Sequence, residues 1–213
     1  QRRNIKRERK AVAAAGLEVS PLVGEAIPGA MVDRMHDFYA QHCSRWGQWG
    51  SKYLTHDFFL AASQELRSNL VLFSAHRGDS NEPVAMSLCV HNANQLWGRY
   101  WGSDEEIDSL HFEVCYYAPI AWAIGRGITS FDPGAGGAHK RRRGFVAEAR
   151  TSLHCWFEPQ FDAILRRWLP EANVQMGLEI EAVNAELPFT ASYDPPHVPG
   201  SIFPESQRPP AAG

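Results

Sequence analysis

The sequence predicts an α+β domain in which a mixed, mostly antiparallel sheet is flanked by helices. Three strand-like runs at 69–76, 83–91 and 95–101 are joined by short, turn-rich connections, which force antiparallel neighbours. A helical stretch then leads into a further strand-like run at 127–133, and this strand–helix–strand unit makes the sheet mixed. The chain has 213 residues, 44% of them hydrophobic and 21% charged, which is enough for one domain with a substantial core.

Three helices and one strand are predicted ahead of this meander, and the first of these helices is basic. The basic helix covers 2–15, and a short strand follows at 17–23. Met, Phe and His side chains at helical spacing predict the next helix over 28–46. Thr55 is a suitable N-cap for a helix that runs to about residue 66, because its hydroxyl can accept a hydrogen bond from the first helical turn.

The helix that follows the meander is predicted over 109–125. Glu113 and Tyr116 lie off its apolar stripe and are expected to face a cleft. Pro119 predicts a kink, because a mid-helix proline removes one hydrogen bond and costs about 3 kcal/mol. The apolar stripe consists of Leu110, Val114, Tyr117, Ala121 and Ile124.

The C-terminal part is predicted to contain a strand, a broken helix and a tail. The run 149–157 alternates like a strand, and 159–186 has a helical pattern that is expected to break near Pro170. The domain is therefore predicted over 1–187. The proline-rich segment 188–213 is predicted to be extended or disordered.

Composition favours a cytoplasmic protein without a membrane span. No apolar run approaches the roughly 18 residues that a span needs, and no signal peptide is visible. A net charge of −3 gives no overall attraction to nucleic acid or to membranes. None of the cysteines forms a C-x-x-C pair, and all are expected to be buried thiols of a reducing compartment. They are Cys43, Cys89, Cys115 and Cys155.

The glycine-rich loop "FDPGAGGAHKRRRGF" ends the strand near residue 133. It fails as a P-loop, because His139 replaces the second glycine and Arg141 replaces the Mg²⁺-binding hydroxyl. It also fails as a dinucleotide loop, since His139 occupies the third glycine position. The glycines still allow close backbone approach at a strand end, and Lys140 with the three arginines after it offers donors to an anion. The alternative is a glycine turn followed by a solvated basic run.

Other chemistry-bearing residues are His111, Glu113 and Cys115 on the predicted central helix. H-x-E begins the zinc deaminase signature, but the required P-C-x-x-C is absent, and no metal site is predicted. Glu113 is the carboxylate best suited to act as a general base. The alternative is a buried carboxylate paired with Arg99 or Lys140.

Two surfaces have both a ligand-binding and a structural interpretation. The basic run "RRNIKRERK" could hold phosphates, but such a run usually forms one solvated helix face. Trp97, Tyr100 and Trp101 could stack a ligand, although strand aromatics more often pack in the core.

The blocks "LWGRYWGSDEEIDSLHFEVCYY", "FDPGAGGAHKRRRGF" and "TSLHCW" occur in the order typical of one family. With the opening basic helix they resemble the FemAB-like group of predicted N-acyltransferases, also described as peptidoglycan biosynthesis/recognition proteins. The resemblance covers about 2–185. It implies a GNAT-type acyltransferase fold, and it implies that this chain is the second half of a longer protein.

The resemblance also implies a reaction and a site. An acyl or aminoacyl group would pass from acyl-CoA or aminoacyl-tRNA to an amine, such as that of a peptidoglycan-type precursor, so tRNA is among the expected partners. Glu113 would act as base or amine-positioning group, and Lys140 with His139 would stabilise the oxyanion or a donor phosphate. The expected substrate-binding residues are Tyr100, Trp101, His111, Tyr116, Gly136, Gly137, Arg142 and Arg143.

The sequence departs from the family pattern at two polar positions. Ala118 stands where the group usually has Gln, and Ala138 stands where it usually has Glu. These departures favour an alternative function, a non-catalytic recognition domain of the same fold. A further alternative is an acetyl-CoA-dependent enzyme that acts on a small amine, but Val146 occupies the small-residue position of the usual acetyl-CoA loop.

Overall fold

The structure is a computed structural model that describes residues 1–45, 47, 50 and 52–188. The chain divides into two compact units, Gln1–Gly136 and Gly137–Gly213. The predicted domain over 1–187 stays a prediction.

The first unit begins with the helices and the strand that the sequence predicts. Helix α1 covers Arg2–Ala14, strand β1 covers Leu17–Val23 and helix α2 covers Gly29–Ser44. Helix α3 covers His56–Glu65, and the Thr55 hydroxyl accepts a hydrogen bond from the Phe58 amide at 3.3 Å. This contact confirms the predicted N-cap.

Within the described residues, the sheet has five strands in the order β1-β2-β3-β4-β5. Strands β1 to β4 are antiparallel neighbours, and β5 pairs with β4 in parallel. The later strands are β2 (Leu70–Arg77), β3 (Pro83–His91), β4 (Gln95–Ser103) and β5 (Ser130–Asp132). The predicted mixed, mostly antiparallel sheet flanked by helices is therefore confirmed.

Two hydrophobic clusters cover the two faces of the sheet. One includes Val71 and Phe73 of β2 with Val114 of the central helix, and all three are fully buried. The other includes Met35 and Phe38 of α2, both fully buried. At Gly102 of β4, a Cβ atom would lie 2.4 Å from the Phe38 carbonyl oxygen. The backbones of α2 and β4 therefore touch, and only a residue without a side chain fits at that point of β4.

The central helix differs from its prediction, because it changes type part-way. It begins as α4 (Leu110–Phe112), becomes a π-helix over Glu113–Tyr117 and continues as α5 (Ala118–Gly125). Pro119 lies in the first turn of α5, directly after the π-helical segment, where a proline is tolerated because its missing N–H is not required. The kink at Pro119 stays a prediction.

The π-helical turn also changes which side chains reach the core. A π turn holds more residues than an α turn, so the apolar stripe continues out of phase beyond it. Ala121 and Ile124 are exposed, the latter by 72%, whereas Pro119 and Ala123 are buried. The predicted stripe is right for Leu110, Val114 and Tyr117 and wrong after the π turn.

The second unit corrects two predictions. The run 149–157 forms no strand in the described chain. Alternation of apolar and polar residues is not sufficient for a strand, because a strand also needs a neighbouring strand to pair with. Helix α7 covers Pro159–Ala185 and continues through Pro170, because a single proline removes only one donor from a long helix. The Glu158 carboxylate caps it by accepting from the amides of Gln160 and Phe161. The predicted tail from residue 189 onward lies outside the described residues.

The cysteine environments differ more than predicted. Cys89 is buried, Cys43 and Cys115 are half-buried and Cys155 is exposed, so the expectation that all are buried is wrong for Cys155. Its segment is an irregular stretch rather than a packed strand. Burial raises the pKa of the Cys89 thiol to about 12, and a thiol rather than a thiolate is unreactive.

We expect Cys155 to react rapidly with a thiol reagent in the folded protein, and Cys89 to react only after unfolding. Labelling with 5,5′-dithiobis(2-nitrobenzoic acid) near pH 8, followed by peptide mass spectrometry, measures both rates. Cys155→Ser should remove the fast phase and leave the slow one. Equal native-state rates at the two positions would contradict this assignment of buried and exposed thiols.

Candidate functional site

The edge of β4 is the first part of the candidate site. Its pairing with β5 spans three residue pairs and ends at Trp97 opposite Asp132. Beyond that point, no strand of the described chain pairs with β4 on this side. On the other side, Gly98 faces Cys89 and Tyr100 faces Leu88, so one extra residue, Arg99, is accommodated in a bulge. In the second half of β4, the backbone N–H and C=O groups on the β5 side are therefore not paired with another strand of the described chain.

An aromatic cluster lies beside this edge. The rings of Trp101 and His111 are 4.4 Å apart, and those of His111 and Tyr116 are 5.4 Å apart. His42 of α2 adds a ring 5.4 Å from Trp101. Three predicted substrate-binding residues, one from β4 and two from the central helix, therefore come together. A cluster of flat rings can hold a planar or apolar group and orient it.

Tyr100 packs elsewhere. Its ring lies 4.9 Å from that of Tyr39 and 6.2 Å from that of Phe59, so it belongs with the α2 and α3 cluster. Successive side chains of a strand point to opposite faces, which separates Tyr100 from Trp101. This packing matches the core interpretation of the strand aromatics for Tyr100.

Glu113 is buried, with 6% of its surface exposed. The Arg9 guanidinium holds both of its oxygens: Arg9 Nε lies 3.2 Å from Oε1 and 3.1 Å from Oε2, and Nη2 lies 3.0 Å from Oε1. The cation paired with it is thus Arg9 of α1 rather than Arg99, one of the two predicted partners. A second contact joins the same two segments: the Tyr117 hydroxyl, four residues after Glu113, donates a hydrogen bond to the carboxylate of Glu8, the residue before Arg9. Both contacts fasten α1 to the π-helical segment.

The glycine-rich loop is shaped by backbone conformations that favour glycine. Gly134 has φ +84° and Gly136 has φ +67°, values that side chains disfavour. The Gly134 amide donates to the Asp132 carboxylate at 2.9 Å, which fixes the turn directly after β5. Gly137 begins the second unit with φ +89°. The positive φ angles of the turn are therefore sufficient to explain why glycine occupies these positions, and no bound ligand is needed for the explanation.

The basic residues of the loop belong to the second unit. Helix α6 (Ala138–Arg141) carries His139 and Lys140. Burial, with the positive charges of Arg143 and Lys140, lowers the pKa of His139, so this imidazole is neutral near pH 7. The Arg143 guanidinium donates to the His139 carbonyl at 3.0 Å, and Arg141 pairs with Glu186 at 2.9 Å. Part of the basic run therefore stabilises the unit itself.

The comparison with protein-family models decides the family. The model described as FemAB-like, peptidoglycan biosynthesis/recognition, matches residues 1–191. The chain belongs to the FemAB-like family. Membership supports an acyl- or aminoacyl-transferring role without naming the substrate, and the mixed sheet with flanking helices fits a GNAT-like fold.

Solved structures give more distant similarity to this FemAB-like protein. An aminoglycoside acetyltransferase from an uncultured soil metagenomic sample matches with 10% identity and a TM-score of 0.47, over 67% of this chain and 99% of the other. A possible acetyltransferase from Clostridium difficile 630 matches with 10% identity and a TM-score of 0.48, over the same shares of the two chains. No curated protein sequence matches. The activities of these proteins are not transferred to this chain.

The described helices of the FemAB-like protein include none that is both long and apolar enough to cross a bilayer. Within the same residues, no group of three His, Cys, Asp or Glu side chains is arranged to hold a metal ion. Within the first unit, the candidate site consists of the β4 edge and the aromatic cluster. The second unit carries the basic residues of the loop.

Sequence reasoning missed the residues that organise these parts. Arg9 and Glu8 were included only in a basic run, yet they bind the central helix. Asp132 was treated as part of a motif, yet it fixes the glycine turn. The signal for Asp132 is available in the sequence, because an Asp two residues before a Gly commonly accepts that backbone amide. No local signal identifies Arg9, since its partner lies 104 positions away.

Proposed function

We propose that this FemAB-like protein is an N-acyltransferase that passes an acyl or aminoacyl group to an amine. The acceptor indicated by its family is a peptidoglycan-type precursor. The observation that carries the proposal is the second half of β4, which lies beside Trp101 and His111 and pairs with no strand of the described residues on the β5 side. Backbone amides at such an edge can bind the carbonyl or amide groups of an extended acyl donor, in the manner of strand addition.

Charge stabilisation in the transfer step is assigned to Lys140. Attack of an amine on an activated carbonyl forms a tetrahedral intermediate whose oxygen is negative, and a fixed donor or cation lowers the barrier. Lys140 with its neighbour His139 and the amides of Gly136 and Gly137 would supply this stabilisation, and Arg142 and Arg143 would hold donor phosphates. Deprotonation of the attacking amine is assigned to Glu113. Collapse of the intermediate then breaks the bond from the carbonyl carbon to the sulfur of CoA or to the ester oxygen of tRNA, which leaves as the thiol or hydroxyl after taking up that proton.

We expect Lys140→Ala to reduce the transfer rate by about a hundredfold or more, the usual cost of losing one oxyanion-stabilising group. The full-length protein would be assayed with labelled acyl-CoA and with aminoacyl-tRNA against a peptidoglycan-precursor peptide. Lys52→Ala is the matched control, since Lys52 is an exposed lysine outside the loop. Unchanged transfer in Lys140→Ala would contradict the assigned role.

A recognition domain without turnover is the second candidate. The observation that favours it is the occupation of both Glu113 oxygens by Arg9, which leaves the assigned base engaged in an ion pair. Binding of donor or acceptor without any transfer, with both donors tested, would support this candidate. Transfer with either donor would exclude it.

A further inference from the structure

A cavity of about 490 Å³ lies between α1 and β1 in the first unit. Strand β1 is an edge of the sheet, and two strands separate it from β4. The volume of the cavity is within the range of about 300–1,000 Å³ that is common for small-molecule sites. Glu113, whose carboxylate is paired with Arg9, also lines the cavity, so the cavity borders the residue to which the base role is assigned.

Its cations come from a single helix. Lys6, Arg9 and Lys10 all line it. Arg9 is engaged with Glu113, but Lys6 and Lys10 have no acidic partner in the part of the chain that the structure describes. They lie one helical turn apart, where two like charges repel each other. An anion between them would relieve this repulsion.

The helix that carries these cations is firmly held. Val12 is 2% exposed and packs in the core beside β1. The Arg9–Glu113 pair and the Tyr117–Glu8 hydrogen bond attach the same helix to the central one. Lys6 and Lys10 therefore project from a fixed backbone, which reduces the entropy lost when a ligand is bound.

The opposite wall restricts the ligand. Val19 and Leu17 of β1 provide apolar surface, and Glu18 adds a carboxylate that has no basic partner among the described residues. A ligand with negative groups at both ends would be repelled by the Glu18 carboxylate. A ligand with one anionic group and a short apolar or cationic chain would match the charges of the cavity. We propose that this cavity binds a small ligand through one phosphate or carboxylate group held by Lys6 and Lys10.

Because the cavity shares Glu113 with the proposed transfer site, the test measures binding alone, and its outcome is separate from that of the transfer assay. The test is a titration of the full chain, labelled with ¹⁵N, with glycerol 3-phosphate and separately with N-acetylalanine at low ionic strength. These probes carry one phosphate and one carboxylate group. We expect saturable amide shifts confined to α1, β1 and the residues around Glu113, which also lines the cavity. A response to only one probe identifies the source of the anion, and a response to both shows a general anion site.

Charge-matched variants decide whether the site is local. Lys6→Glu/Lys10→Glu should weaken binding at least about tenfold, or about 1.4 kcal/mol. Arg3→Glu/Arg7→Glu makes the same charge change at the same spacing on α1, but neither residue lines the cavity, so it should change affinity less than about twofold. Circular dichroism checks that both variants are folded. Equal weakening in the two variants, shifts elsewhere in the chain, or no saturable response to either probe would overturn the proposal.

Discussion

Gly102→Ala is expected to destabilise the protein by about 3 kcal/mol, at the upper end of the usual cost of overpacking. The new Cβ would lie 2.4 Å from the Phe38 carbonyl oxygen and 2.7 Å from the Phe38 carbonyl carbon. Both are backbone atoms of α2, so no side-chain rotation relieves the contact and the helix must move away from β4. Urea unfolding followed by tryptophan fluorescence measures the change in the free energy of unfolding.

Gly98→Ala on the same strand is the matched control. A Cβ at Gly98 would be 3.6 Å from its nearest neighbours, an ordinary contact distance, so we expect a change below about 1 kcal/mol. Both variants add one methyl group to a glycine of β4, and they differ in the distance from the new Cβ to its nearest neighbouring atom. Similar stability of Gly102→Ala and Gly98→Ala would show that α2 and β4 do not approach as closely as described.

Arg9→Met is expected to destabilise the protein by about 2 kcal/mol, because it leaves the buried Glu113 carboxylate without its partner. This figure is below the full cost of breaking a buried pair, since 52% of the Arg9 side chain is exposed. Glu113→Gln should cost less, because Arg9 can turn toward water. Arg9→Met/Glu113→Gln should lose less than the sum of the single variants, which denaturant unfolding of all four proteins measures.

Arg7→Met is the control for this cycle, since Arg7 is an exposed residue of the same helix and should change stability by less than about 0.5 kcal/mol. The transfer assay adds a second readout. If Glu113 is the general base, Glu113→Gln should lower the rate about a hundredfold while Arg9→Met retains most of it. Comparable losses in both variants would indicate that the pair positions α1, and additive stabilities in the cycle would contradict the ion pair itself.

The sheet could be predicted from the sequence because its signals are local. The meander is specified by short connections between strand-like runs, and these allow only antiparallel pairing. The cap at Thr55 depends on contacts within four residues. Features of this kind depend on neighbours in the sequence, which is why they were found without a structure.

The parts that sequence reasoning missed depend on distant partners. The alternation at 149–157 is the pattern of a strand, but a strand also needs an edge to pair with, and sequence alone does not show one. Glu113 was identified as the important carboxylate, yet its partner Arg9 is far away in sequence. One cleft is predicted for Tyr100 and Trp101, yet the Tyr100 ring packs against Tyr39 and the Trp101 ring packs against His111.

The change of helix type at Glu113–Tyr117 affects how sequence variation in this helix should be interpreted. A polar variant at Ile124 looks severe when interior positions are counted at 3.6 residues per turn from Leu110, yet that side chain is 72% exposed. A larger residue at Ala123 looks harmless by the same counting, yet Ala123 is 4% exposed. After residue 117, the positions that tolerate substitution are therefore offset from those before it. Counting 3.6 residues per turn from Leu110 would take the exposed Ile124 for a buried position and the buried Ala123 for an exposed one.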